Sequence, residues 1–205
     1  MKSILLAAVL LTASGLANAE LSFLSSGTAT RTEAFNVASL PGYAVGTPLA
    51  LGALVTDQPG TFSFTYLGQE SGFTNSLHLS NGLNLFESDP IGTSINIAVA
   101  GLGYLPFSFA EIASPTHSAA SNGGPWGPNT SIGLVGTNMS FLGKTYAYVL
   151  GYNDSAGTAT LGDWDDYVIG VNIASHAPEP ASYAMLLVGL GLLGFMTHHK
   201  NKKLS

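Results

Sequence analysis

The chain has 205 residues, 46% of them hydrophobic, 10% aromatic and only 9% charged, with a formal net charge of −6 and no cysteine. A globular protein ordinarily carries about a quarter charged residues, and so few cannot dress helical surfaces with i,i+4 ion pairs, which argues against an all-helical fold and for strands with Thr, Ser and Asn outside. The absence of cysteine excludes disulfides, a thiol nucleophile and Cys-ligated metal centres, and the acidic balance removes the phosphate attraction that non-specific nucleic-acid binding needs.

At the N-terminus, Lys2 precedes the uncharged run Ile4 to Leu11, and Ala17-Asn18-Ala19 places small residues at −3 and −1 before Glu20. This is the layout of a secretory signal peptide over residues 1–19, with cleavage marked by Ala17 and Ala19. A short core helix is the competing reading, but nothing polar gives that run a second face.

Residues 20–175 read as one extracellular domain. Phe62, Phe64 and Tyr66 alternate with Ser63 and Thr65, and Ile95, Ile97 and Val99 repeat the pattern. Phe107 with Phe109, then Tyr146, Tyr148 and Leu150, then Tyr167, Ile169, Val171 and Ile173 continue it, and a period of two puts each set on one face of a strand. Leu77 and Leu79 lead into Asn81-Gly82 with Leu83 and Leu85 beyond, the strongest short hairpin signal. Turn residues interrupt throughout and no fixed-period repeat occurs, so the predicted fold is mostly β, a single antiparallel β-sandwich of jelly-roll-like form. Between residues 20 and 177, eleven acids face only Arg31 and Lys144, a net charge of −9.

Catalytic motifs are missing. There is no Gly-x-Ser-x-Gly and no His-Glu-x-x-His, and Gly143-Lys144-Thr145 lacks the P-loop glycine because Asn138 stands in its place. His78 falls on the polar face of a predicted strand as a solvated residue, His117 in a loop and His176 in a linker. No catalytic residue is nominated and a non-enzymatic body is expected, with an unrecognised secreted hydrolase as the outlying alternative.

Asp163, Asp165 and Asp166 crowd three carboxylates into four positions, and oxygen-only ligands on a turn suit calcium. The spacing is not that of an EF-hand, and an acidic turn before the last strand gives the same pattern for local backbone reasons. Trp126, in the loop Gly123 to Pro128, and Trp164 are candidates for stacking on sugar faces, which would make the body a calcium-dependent carbohydrate-binding module. No other cofactor is indicated.

Residues 176–182 form a linker containing Pro178-Glu179-Pro180. No charge then appears between Glu179 and Lys200, and the apolar stretch Ala181 to Thr197, about 26 Å long as a helix at ~1.5 Å per residue, contains the predicted transmembrane helix 183–197. Gly189, Gly191 and Gly194 spell G-x-G-x-x-G without the strand and acidic residue a dinucleotide site requires. The tail 198–205 carries Lys200, Lys202 and Lys203, which stay on the cytoplasmic side.

The triplet, the apolar helix and the basic tail in that order resemble the PEP-CTERM sorting signal of Gram-negative bacteria. The tail is His- and Lys-rich where family tails are Arg-rich. Two prolines fix φ, withhold two donors and keep the segment extended at the membrane face. The resemblance implies that exosortase, an integral-membrane transpeptidase, recognises Pro178, Glu179 and Pro180 and cuts near them. The body then passes to the cell surface or an extracellular polymer after transient single-pass anchoring in the inner membrane. A GPI signal lacks the match in spacer and tail, and an uncut anchor is the alternative. Gly162 to Val171, Gly-Asp-Trp-Asp-Asp-Tyr-Val-Ile-Gly-Val, and Phe64 to Leu77 also look like segments of such surface proteins, which implies a shared β-sandwich. The expected function is thus an exported structural or matrix protein, with exopolysaccharide as a candidate partner.

Overall fold

A computed structural model describes residues 20–31, 45–112, 119–126, 130–154, 161–162, 164–176 and 188–190. Ala19–Ala177 is one compact unit. Its strands are β1 (Leu21–Arg31), β2 (Pro48–Thr56), β3 (Gly60–Gly68), β4 (Asn75–Leu79), β5 (Asn84–Phe86), β6 (Ser94–Val99) and β7 (Gly103–Tyr104), followed by β8 (Phe107–Glu111), β9 (Ala120–Ser121), β10 (Thr130–Phe141), β11 (Lys144–Asp154), β12 (Leu161–Gly162) and β13 (Tyr167–His176). The chain is mostly β with antiparallel sheets. A nine-stranded sheet runs β12-β1-β2-β10-β11-β13-β3-β6 with β7 also on β2, and a four-stranded sheet runs β5-β4-β8-β9. The division is unequal, unlike the even halves of a jelly roll, and β1 pairs with β12 in parallel.

The predicted alternation falls in β3, β6, β8, β11 and β13. Phe62, Phe64 and Tyr66 of β3 and Tyr167, Ile169 and Val171 of β13 enter one core cluster with Leu77, Leu85, Phe107 and Phe109 of the smaller sheet. Leu67 and Val168, out of phase with those sets, belong to a second cluster with Val149 and Phe141. The larger sheet is therefore apolar on both faces around β11 and β13. Each fully buried Phe or Leu contributes about 1.5–3 kcal/mol of transfer free energy. The hairpin read at Asn81-Gly82 is present, with β4 pairing β5 through Leu77↔Leu85 and His78↔Asn84.

Three long strands escaped the periodicity. β2, Pro-Leu-Ala-Leu-Gly-Ala-Leu-Val-Thr, lies between β1 and β10 and is buried along most of its length, so its sequence is a continuous apolar run with no polar face to alternate. β1 is exposed through its middle and β10 through its second half, where small and polar residues blur the pattern.

Trp164 is fully buried among Ala29, Leu49 and Leu51. Its fit requires glycine on two strands. A Cβ at Gly151 would meet the Trp164 carbonyl oxygen at 1.9 Å, and one at Gly133 would meet Leu49 Cδ2 at 2.4 Å and Trp164 Cδ1 at 2.9 Å. Because the clash at Gly151 is with backbone, Gly151→Ala should destabilise the body by about 1–3 kcal/mol, read as a lower urea midpoint with an unchanged slope.

Candidate functional site

A concavity lies over β1 and β2. It is a groove of about 560 Å³, lined by Leu24, Ser25, Ser26, Tyr104 and Trp126, with glycines and Ala53 as floor. A register shift between Ser25 and Gly27 breaks the β1–β2 ladder there. Ser25 Oγ donates to Gly27 O at 3.1 Å and Ser26 Oγ to Leu51 O at 3.3 Å. Tyr104 arrives on β7 through its pairing with Val55. Its ring rests over Gly123, which has φ +85° and where any Cβ would come within 2.7 Å of the ring. Trp126 is half-buried, and its indole N–H donates to Ser121 O at 3.0 Å, which fixes the plane of the ring.

Asn122 holds this arrangement from below. Its Oδ1 accepts from Leu54 N at 2.8 Å, and its Nδ2 donates to Leu54 O at 2.7 Å and to Leu105 O at 2.8 Å. One amide thus fastens the turn after β9 to β2 and to the segment between β7 and β8. Trp126 was legible as a loop aromatic. Tyr104 carries no such local signal, because its place beside Trp126 depends on a pairing with a strand about fifty residues away.

The other proposed stacking residue requires correction. Trp164 has no exposed surface, and its indole N–H donates to Ser131 Oγ at 3.0 Å, so its ring presents no face to a sugar. The acidic segment is likewise interior: Asp165 and Asp166 are buried. Asp166 Oδ2 accepts from Asp154 N at 2.7 Å, the Asp165 carbonyl from Glu70 N at 3.0 Å, and the Asp166 carbonyl from Asn75 Nδ2 at 3.3 Å. Asp154 accepts from Ser71 Oγ and, at 2.7 Å, from Asn75 Nδ2, while Glu87 accepts from Asn75 N. The segment therefore joins the end of β11 to the start of β4. Asp163 lies outside the described residues, and among those residues no three His, Cys, Asp or Glu side chains are arranged to hold a metal.

These carboxylates act on their neighbours. Burial raises the Glu87 carboxyl, against the opposing bond from Asn75 N and with help from Asp154. Burial, then Glu87 and Asp89, push the Tyr66 phenol up to about 12. Tyr152 is raised further by burial and then by Asp154, Asp166 and Glu111, and Tyr167 by burial and then by Tyr66, Asp89 and Glu87.

His78 is half-buried and held at both ring nitrogens, unlike the solvated strand residue expected. Nε2 lies 2.8 Å from Ser76 Oγ, and Nδ1 lies 2.8 Å from Asn84 Oδ1. The order hydroxyl, imidazole, amide has the outline of a nucleophile, base and orienting group. Ser76, however, is fully buried and its Oγ also donates to Ala110 O at 3.2 Å, so the trio ties β4 to its neighbours. Gly143 and Leu142, at φ 77° and 50°, make the tight β10–β11 turn that the Gly-Lys-Thr string belongs to. His117 lies outside the described residues, and of His176 only the backbone, paired with Gly60, is described.

Ala17, Ala19, Pro178, Glu179, Pro180, Lys200, Lys202 and Lys203 lie outside the described residues, as does the predicted span except for a helical stretch at 188–190. Among the described residues no helix is long and apolar enough to cross a membrane. Residues 176–200 match the PEP-CTERM protein-sorting motif. The chain carries a PEP-CTERM sorting signal. The PEP-CTERM match begins at the last residue of β13 and ends at Lys200, so it takes in the triplet, the apolar stretch and the first lysine of the tail. It supports exosortase-dependent sorting to the cell surface through a membrane-anchored intermediate. Neither a curated protein nor a solved structure matches the chain.

Two outcomes are expected from these contacts. Asn122→Ala leaves the buried Leu54 N–H without its partner, while Leu54 O and Leu105 O keep the bonds from Leu105 N and Phe107 N, and should cost about 1–3 kcal/mol, measured by chemical unfolding. For the phenols, the fold favours the neutral form, so their contribution is complete below the ordinary value of 10 and is lost as pH rises through the raised values. Absorbance at 295 nm should show Tyr66, Tyr152 and Tyr167 silent near pH 10 and ionising only at about pH 12 and above, together with loss of the far-ultraviolet β signal.

Proposed function

We propose that this chain is an exported structural or matrix protein, a non-catalytic β-sandwich delivered to the cell surface or extracellular polymer by exosortase. The observation that carries this reading is the PEP-CTERM motif over residues 176–200, directly after the body. Its chemistry is suited to recognition by a membrane enzyme. Two prolines withhold two backbone donors and disfavour helix in the residue before each, and Glu179 offers one carboxylate in an otherwise uncharged stretch of sequence.

The body is built to survive such a cut. β13, the strand that leads into the signal, is not an edge strand but lies between β11 and β3, paired from Tyr148↔Val171 to Tyr152↔Tyr167 on one side and as far as His176↔Gly60 on the other. Cleavage near the triplet would remove none of these pairings. The charge of −9 between residues 20 and 177 keeps a released body soluble and away from anionic lipid.

The test is intact mass of the mature protein from cells with and without the exosortase. With the enzyme present, the C-terminus should fall close to Pro178-Glu179-Pro180 and the body should reach the exterior. Replacing the three by alanine should leave the tail attached and the chain in the membrane fraction. A full-length tail in both strains, or unaltered delivery of the alanine variant, would refute the reading.

A further inference from the structure

We propose that the groove between Tyr104 and Trp126 binds a segment of neutral polysaccharide. The groove combines two chemistries that a pyranose ring needs at once. Its C–H faces pack on flat aromatic surface, and its hydroxyls need hydrogen-bond partners around the rim. Tyr104 is 54% exposed and sits over Gly123, so one face of its ring is backed by the chain and the other is turned outward. Trp126 is held by its bond to Ser121 O, so its ring loses little freedom when a ligand covers it. Between them and β1, the hydroxyls of Ser25 and Ser26 each donate to a backbone carbonyl, which leaves their oxygen lone pairs as acceptors for sugar hydroxyls.

The charge selects the class of polymer. Among the described residues no Asp, Glu, His, Lys or Arg lines the groove, and residues 20–177 carry −9, so a uronate-rich or sulfated chain would meet net repulsion. The volume of about 560 Å³ falls within the ~300–1,000 Å³ range of small-ligand sites. With Leu24 51% exposed at one margin and Tyr104 at another, the groove opens to solvent and a polymer can continue past it. Asn122, next in sequence to the lining residue Gly123, fastens that turn to Leu54 and Leu105 and supplies the rigid support such a platform requires. The inference does not depend on how the chain is processed, and its test leaves the sorting reading untouched.

The experiment uses the full chain in a zwitterionic, sugar-free detergent, run on native gels containing hydroxyethyl cellulose, galactomannan or dextran, with alginate as the anionic probe. Retardation by at least one neutral polymer and none by alginate is expected. Trp126→Ala and Tyr104→Ala should each weaken it about tenfold or more, whereas Trp126→Phe and Tyr104→Phe keep most of it. A second readout needs no variant: Trp164 is buried, so the acrylamide-quenchable tryptophan emission reports Trp126, and saturating neutral polymer should protect it. The proposal is overturned by absence of retardation on all three neutral polymers, by retention on alginate alone, or by wild-type behaviour of both alanine variants. Undiminished quenching in saturating polymer, or protection by an oligoproline peptide but by no polysaccharide, overturns it equally.

Discussion

The ring of Phe109 lies against that of Tyr152 at 5.1 Å, with planes only 8° apart, and this contact joins the four-stranded sheet to the nine-stranded one. Around it, Phe107 meets Phe64 edge-on at 5.1 Å and Tyr66 stacks on Tyr167 at 4.8 Å. The phenols at this junction need polar partners, and Tyr167 finds one across the gap in Leu85 O at 2.9 Å. A chain poor in charge has little else with which to fasten two sheets. Aromatic area supplies the driving force, and phenol or amide bonds to backbone supply the register.

Side-chain amides fasten several of the joints between strands. Asn122 closes the turn under the groove, and Asn75 gathers Asp154, the Asp166 carbonyl and Glu87 at the end of β11. The same economy explains the interior placement of Asp165 and Asp166. The Asp166 carboxylate accepts from the Asp154 backbone N–H, and the carbonyls of Asp165 and Asp166 accept from Glu70 N and Asn75 Nδ2, which sets the path of the chain into β13. Burial, and after it Asp154 and Asp166, keep the Tyr152 phenol neutral, which links this segment to alkaline stability.

Sorting and recognition are separated along the chain. The PEP-CTERM motif is a local sequence signal over residues 176–200, and only its first residue, His176, belongs to a strand of the body. The groove belongs wholly to the body and depends on β1, β2, β7 and the turn after β9 being held together. Processing and ligand binding can therefore fail independently, since each rests on different bonds.

The amino-acid order alone determined the β class, the Asn81-Gly82 hairpin, the strands around Phe64, Ile97 and Ile169, and the triplet with its apolar and basic followers. These are local signals, legible because a period of two or a tight turn is complete within a few residues. β2 stayed hidden because burial on both faces erases alternation. Only the tertiary structure decided that Trp164 is enclosed while Trp126 borders a groove, since both stand in Gly- and Asp- or Pro-rich strings and differ only in what folds over them. Tyr104 joins Trp126, and Leu54 joins Asn122 across 68 positions, through pairings whose partners lie too far along the chain to leave a pattern near either residue.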